Sequence, residues 1–268
     1  MIPAATVAYF FIALFFTLFV PIILILVLGI KKKITALPML LGFAAFFVSQ
    51  IVLRIPLLSL LGTMGWYQSF AGMFIPFALM LSFTAGLFEE SARLGGAYIL
   101  KKQRSYKDVI SFGLGHGLCE VIFLIGMAHV NNIILSLAIN SGSNLVFLLV
   151  PADMVEAVTA QLVAVEPFHI FLGVIERVFA VVFHIFATVL VFQGVIRKKI
   201  WYFFLAILAH TVLNFSAVLA ARYVGILASE IVMFVLAALC GVYVLKSRKW
   251  FLPAQLPGDS VGDLPQVV

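Results

Sequence analysis

Seven apolar runs follow one another along this chain of 268 residues, at roughly 4–30, 36–60, 69–100, 108–139, 168–196, 200–224 and 228–246. A helix needs about 20 apolar residues to cross the hydrocarbon core of a bilayer. Each run is therefore read as one span, and the fold class as all-α, a polytopic transmembrane helix bundle of about seven spans. A soluble domain of this length could not cover its apolar surface, since 64% of the residues are hydrophobic and 10% are charged. The first run is too long for the apolar part of a signal peptide, has no basic region before it, and is followed by Lys31–Lys33. A single helical membrane domain is expected over 1–250, with a flexible cytoplasmic tail over 251–268, where Pro and Gly punctuate polar residues.

Two of the runs are long enough to tilt or kink. Pro21 is expected to kink the first span and Pro76 the third, and Gly126 or Asn131–Asn132 to break the fourth. The net charge of +6 gathers in clusters at Lys31–Lys33, Lys101–Lys107, Arg197–Lys199 and Lys246–Lys249. They fall at alternate ends of the seven-span count, while 61–68 and 140–167 hold no Lys or Arg. Basic loops stay in the cytoplasm. The N-terminus is thus expected outside and the C-terminus in the cytoplasm of a prokaryotic plasma membrane. The clusters read as topology signals, so no nucleic acid is expected as a partner. The connection over 140–167 is expected to form an outer loop with a short amphipathic helix or a re-entrant piece. Cys119 and Cys240 lie in apolar runs and read as packed thiols.

Ionisable groups inside a membrane are costly and mark function. Glu89, Glu90, Arg93, His116, Glu120, Glu176, Arg177, His184, His210 and Asn214 all fall within the runs. At about 1.5 Å rise per residue, Glu89, His116, Glu120, His184, His210 and Asn214 lie about 14–23 Å from the nearest basic cluster. Four helices thus supply one polar slab near the midplane. By the same count Arg54, His129 and Arg177 lie about 30 Å away or more, at the outer interface, where snorkelling explains a charge. His116 and Glu120 are four residues apart, as are Glu89 and Arg93 and also His210 and Asn214, so each pair shares a helix face. One arginine cannot neutralise two carboxylates. One of Glu89 and Glu90 is left over, and Glu89 is expected to face water. Gly86, Gly95 and Gly96 read as points of close helix packing.

These residues resemble three motifs of the CPBP membrane proteases, which include the type II CaaX prenyl endopeptidases. "EESAR" (Glu89–Arg93) resembles Glu-Glu-x-x-x-Arg with the arginine one residue early. Phe112 and His116 match Phe-x-x-x-His, and His210 and Asn214 match His-x-x-x-Asn. With its length, span number, Glu120 in "GHGLCE" and His184 in "FHIF", the chain looks most like the YhfC family of intramembrane proteases, relatives of the CPBP and PrsW groups. The resemblance implies hydrolysis of a peptide bond within the membrane by a glutamate-activated water, on a membrane protein or lipopeptide substrate.

Two routes are open. In the preferred, glutamic-type one, Glu89 or Glu90 takes a proton from water, His116 holds that water, and Arg93 orients the other carboxylate. His210 and Asn214 then donate to the oxyanion, and Glu120 and His184 position the rest. In the metal-dependent one His116, Glu120, His184 and His210 offer N and O ligands for zinc, and a glutamate is the base. A proton- or cation-coupled transporter or channel, or a non-catalytic membrane scaffold, is the alternative; the sequence has no internal repeat and no charged outer vestibule to support transport.

Overall fold

The computed structural model describes residues 1–101 and 104–251; Lys102, Gln103 and 252–268 are outside the described residues, so the expected tail lies almost wholly there. Among the described residues every regular element is helical. In chain order come α1 (Ala4–Ile30) and α2 (Ala36–Leu61), each including a π-helical run, the short α3 (Gly65–Ala71), then α4 (Phe74–Ile99) and α5 (Tyr106–Ser141). Short helices α6 (Val146–Leu149) and α7 (Val155–Ala164) follow, then α8 (Pro167–Arg197), α9 (Trp201–Tyr223) and α10 (Ile226–Ser247). Among the described residues six helices are long and apolar enough to cross a membrane, and a seventh span results if α3 and α4, bent by 107°, are counted together. The chain is a polytopic all-α membrane bundle.

The irregular stretches have local causes. π-helical runs at Phe15–Phe19 and Phe47–Arg54 precede Pro21 and Pro56. Proline removes one N–H and crowds the carbonyl four residues back, and a wider turn absorbs both effects. The disturbance in α1 thus falls beside Pro21, where a kink is expected. The third span differs from expectation, because its bend comes at Gly72–Met73. Pro76 instead sits in the first turn of α4, where its missing N–H has no intrahelical partner to lose. α5 is not broken at Gly126 or Asn131. It has a π-helical run at Glu120–Gly126 and continues to Ser141, where Gly142 takes a left-handed φ of 65°.

α5 begins at a capping box in which the Ser105 hydroxyl accepts from Asp108 N and the Asp108 carboxylate accepts from Ser105 N at 3.1 Å. Its "FGLGHG" stretch lets two helices come close. A Cβ on Gly115 would stand 2.1 Å from the Met39 carbonyl of α2, and one on Gly117 would stand 3.2 Å from Val181 Cα of α8. Small residues allow such backbone approach in a bilayer. His116, between them, is held where α2 and α8 both press on α5. Gly86 packs on His210 and Gly96 on the Phe112 ring, as expected of packing points, but Gly95 has open space around it.

One end of the bundle gathers the basic clusters. Lys107 Nζ donates to Lys32 O at 2.7 Å, Tyr106 OH donates to Val244 O at 2.9 Å, and the Arg197 guanidinium lies 5.3 Å over the Trp250 ring. An apolar cluster near that end includes Phe112, Leu190, Phe192 and Ala206, and a second at the other end includes Ile2, Phe10, Ile133 and Ile170. The connection over 140–167 forms α6, a short 3-10 turn and α7, with Leu162 in the second cluster. Between the two clusters lie the ionisable groups. Cys119 is buried and, like Cys240, unbridged.

Candidate active site

Glu89, Glu90 and Arg93 project from α4 into the bundle and are buried, as are His116 of α5, His184 of α8 and His210 of α9. The two neighbouring glutamates have different surroundings. Glu90 is fully buried and forms a close ion pair with Arg93 Nη1. Glu89 borders a polar cavity of about 80 Å³ that Glu120, Arg177, His184, His210 and Asn214 also line.

Three imidazoles converge on the Glu89 carboxylate. His116 Nε2 lies 2.9 Å from Oε2, His184 Nδ1 3.6 Å from Oε2, and His210 Nε2 3.8 Å from Oε1. Gln50 Nε2 donates to Oε1 at 2.9 Å, and Arg93 Nη2 is 3.5 Å from Oε2. Buried charge persists when it is paired and hydrogen-bonded.

The outer nitrogens of two histidines are held by other carboxylates. Arg93 Nη2 donates to His184 Nδ1 at 2.5 Å; guanidinium only donates, so the ring hydrogen is on Nε2 and is given to Glu120 Oε2 at 2.5 Å. His210 Nδ1 donates to Glu90 Oε1 at 2.9 Å, which turns the Nε2 lone pair toward Glu89. Each carboxylate is backed by arginine, Glu90 by Arg93 and Glu120 by Arg177 at 2.7 Å. The result is two relays, Arg93–Glu90–His210 and Arg177–Glu120–His184. Carboxylates behind the outer nitrogen fix a ring's tautomer and orientation, as they do for metal-ligating histidines.

The Glu120 N–H donates to His116 O, so the α-helical turn between the two residues is kept. The helix widens to π geometry from Glu120 onward, and the Glu120 carboxylate reaches His184 of α8. Arg177 is not an outer anchor but part of this relay, and it also forms a close ion pair with Glu176. Arg54 also turns inward, with Nη1 donating to Gln50 Oε1 at 3.1 Å and Nη2 to Leu81 O at 2.7 Å. Gln50 was not singled out by sequence reasoning, although the four-residue spacing from Gln50 to Arg54 is the same kind of signal used elsewhere. Asn214 lines the cavity on the face of α9 that carries His210.

The donor set fits a divalent cation. One ligand atom each from Glu89, His116 and His184 lies within 4.8 Å of the others, and all three residues are buried. His184 has the carboxylate support that metal-bound histidines carry, and so does neighbouring His210. His116 lacks it, since its Nδ1 is buried with no hydrogen-bond partner. Arg93 competes for His184 Nδ1.

These features define a class, an integral membrane protein of bundled helices with a buried centre of carboxylates, histidines and arginines. Within that class the family is specific. The chain matches the family described as YhfC intramembrane metalloprotease over residues 16–237 and belongs to it. It is 33% identical over 175 residues to "Uncharacterized membrane protein YhfC" of Bacillus subtilis (strain 168), an alignment covering 62% of this chain and 67% of that relative. No solved structure matches it.

Proposed function

We propose that this protein hydrolyses peptide bonds of membrane-associated proteins or lipopeptides at the Glu89 centre, with the N-terminus outside and the C-terminus in the cytoplasm. The observation that carries the reading is the convergence of His116, His184 and His210 on one carboxylate that borders a polar cavity. Hydrolysis in a bilayer requires water beside a base, and the cavity supplies the place for it. The gathering of basic clusters at one end supports the orientation.

In this reading Glu89 takes the proton from water. His116 Nε2 holds the Oε2 side of the carboxylate, so Oε1 is the oxygen beside His210. His210 Nε2 accepts the proton in turn and passes it to the leaving amine, while Glu90 on Nδ1 stabilises the imidazolium. The Asn214 amide, on the same wall, donates to the developing oxyanion. Arg93 and Arg177 do not move protons; they fix Glu90 and Glu120.

A second reading is favoured by the clustered donors and the family's description. Glu89, His116 and His184 would then hold a divalent cation such as zinc, next to His210. A cation bound there supplies a Lewis acid and lowers the pKa of water. Glu120 would keep His184 in the ligating tautomer, and Arg93 would be held by Glu90 alone.

A reconstituted cleavage assay tests the function. Purified protein in liposomes with single-span membrane peptides yields new C-termini detectable by mass spectrometry, and Glu89→Gln removes them. Proton or cation flux that persists without any cleavage would assign the centre to transport instead.

A further inference from the structure

A cavity of about 380 Å³, larger than the one at Glu89, opens at the basic end of the bundle among the C-terminal parts of α4 and α8 and the start of α9. Leu94, Val191 and Phe203 give it apolar walls, and Arg104, Lys198 and Lys199 give it three cations. None of its lining residues is Asp or Glu. The cations stand on fixed backbone. Lys199 N bonds Gly194 O at 2.8 Å and Lys198 N bonds Val195 O at 3.3 Å, a helix-ending motif with Lys198 at a φ of 55°. Arg104 is tied by two bonds to Ala97 O, at 3.1 and 2.7 Å.

Three like charges around one cavity repel, and a bound anion relieves that. A free inorganic anion would use the cations and waste the apolar walls. A ligand that uses both has a negative head and a hydrocarbon body. We propose that this cavity is a binding site for one anionic phospholipid, its phosphate held by Arg104, Lys198 and Lys199 and the upper part of an acyl chain against Leu94, Val191 and Phe203. Basic pockets between membrane helices on the cytoplasmic side are suited to such headgroups. The site differs from general attraction of a basic surface because the three basic residues line a cavity between helices. α4 carries Glu89, Glu90 and Arg93 and ends at this cavity, so an occupant would brace the helix on which the polar centre is built.

Thermal unfolding of the full-length protein in a neutral detergent tests the site, with added dioleoylphosphatidylglycerol, dioleoylphosphatidylcholine or inorganic phosphate. The anionic lipid should raise Tm by roughly 5 °C at saturation, and the other two should not. The double variant Lys198→Gln, Lys199→Gln should lose that rise. The double variant Lys31→Gln, Lys33→Gln, with the same loss of charge outside the cavity, should keep it. Native mass spectrometry of the unsubstituted protein gives a second measure, expected to show one retained phosphatidylglycerol in preference to phosphatidylcholine. Equal rises in both double variants, a rise reproduced by phosphate alone, or no preference between the lipids in either measurement would overturn the proposal.

Discussion

His210 Nδ1 lies 2.9 Å from Glu90 Oε1, while its Nε2 lies 3.8 Å from Glu89 Oε1, so one ring joins two neighbouring carboxylates with opposite surroundings. Glu90 is locked against Arg93 with no exposure, and Glu89 meets the polar cavity. Glu90→Gln should therefore act first on the fold. It leaves the Arg93 charge without its close partner, and breaking a buried pair costs about 3–5 kcal/mol. A fall in unfolding midpoint checks this. Glu89→Gln should hold the midpoint far better and lower the cleavage rate by about 10²–10⁴-fold.

Arg177 is predicted to matter through Glu120 and His184. Arg177→Met keeps much of the side-chain volume and removes the 2.7 Å bond to Glu120. Loss of an outer partner of this kind typically costs about 10–100-fold in activity or metal affinity. Cleavage rate is the readout, with unfolding midpoint as the control for folding.

A matched pair of glycine substitutions separates close packing from helix preference. A Cβ at Gly115 meets the Met39 backbone at 2.1 Å, and one at Gly95 meets nothing within 4 Å. Gly115→Ala should destabilise by about 1–3 kcal/mol and displace His116. Gly95→Ala should be neutral or stabilise by about 0.5–1 kcal/mol, as expected for alanine in a helix. Unfolding in detergent measures both.

The metal reading makes a separate prediction. Purified protein should hold close to one zinc per chain, and His184→Ala or His116→Ala should lower that content in elemental analysis. Cleavage that survives chelation of a metal-free preparation would leave Glu89 as the base and remove the cation from the account.

Much of this was legible in the sequence, and the residues show why. The apolar runs fixed the helices because lipid tolerates little else, and regular rise along a helix was enough to put Glu89, His116, His184 and His210 at one level. Direction was not legible. Arg54 and Arg177 sit where snorkelling is a sound expectation, yet both turn inward to carboxamide, carbonyl or carboxylate partners. A count of rise gives depth but no azimuth. Glu120 shows a second limit, since spacing along α5 puts it on the face of His116 but gives no sign of its partner across the helix interface, His184 of α8. The bend ahead of Pro76 shows a third: proline marks where a helix starts as readily as where it breaks.

The most direct test of the Glu89 centre follows the oxygen of water. Protein in liposomes is incubated with single-span membrane peptides in ¹⁸O-labelled water, and the products are weighed. Hydrolysis at this centre predicts new C-terminal carboxylates carrying ¹⁸O from the unsubstituted protein, and none from Glu89→Gln folded to the same midpoint. Labelled products in equal yield from Glu89→Gln would contradict the account.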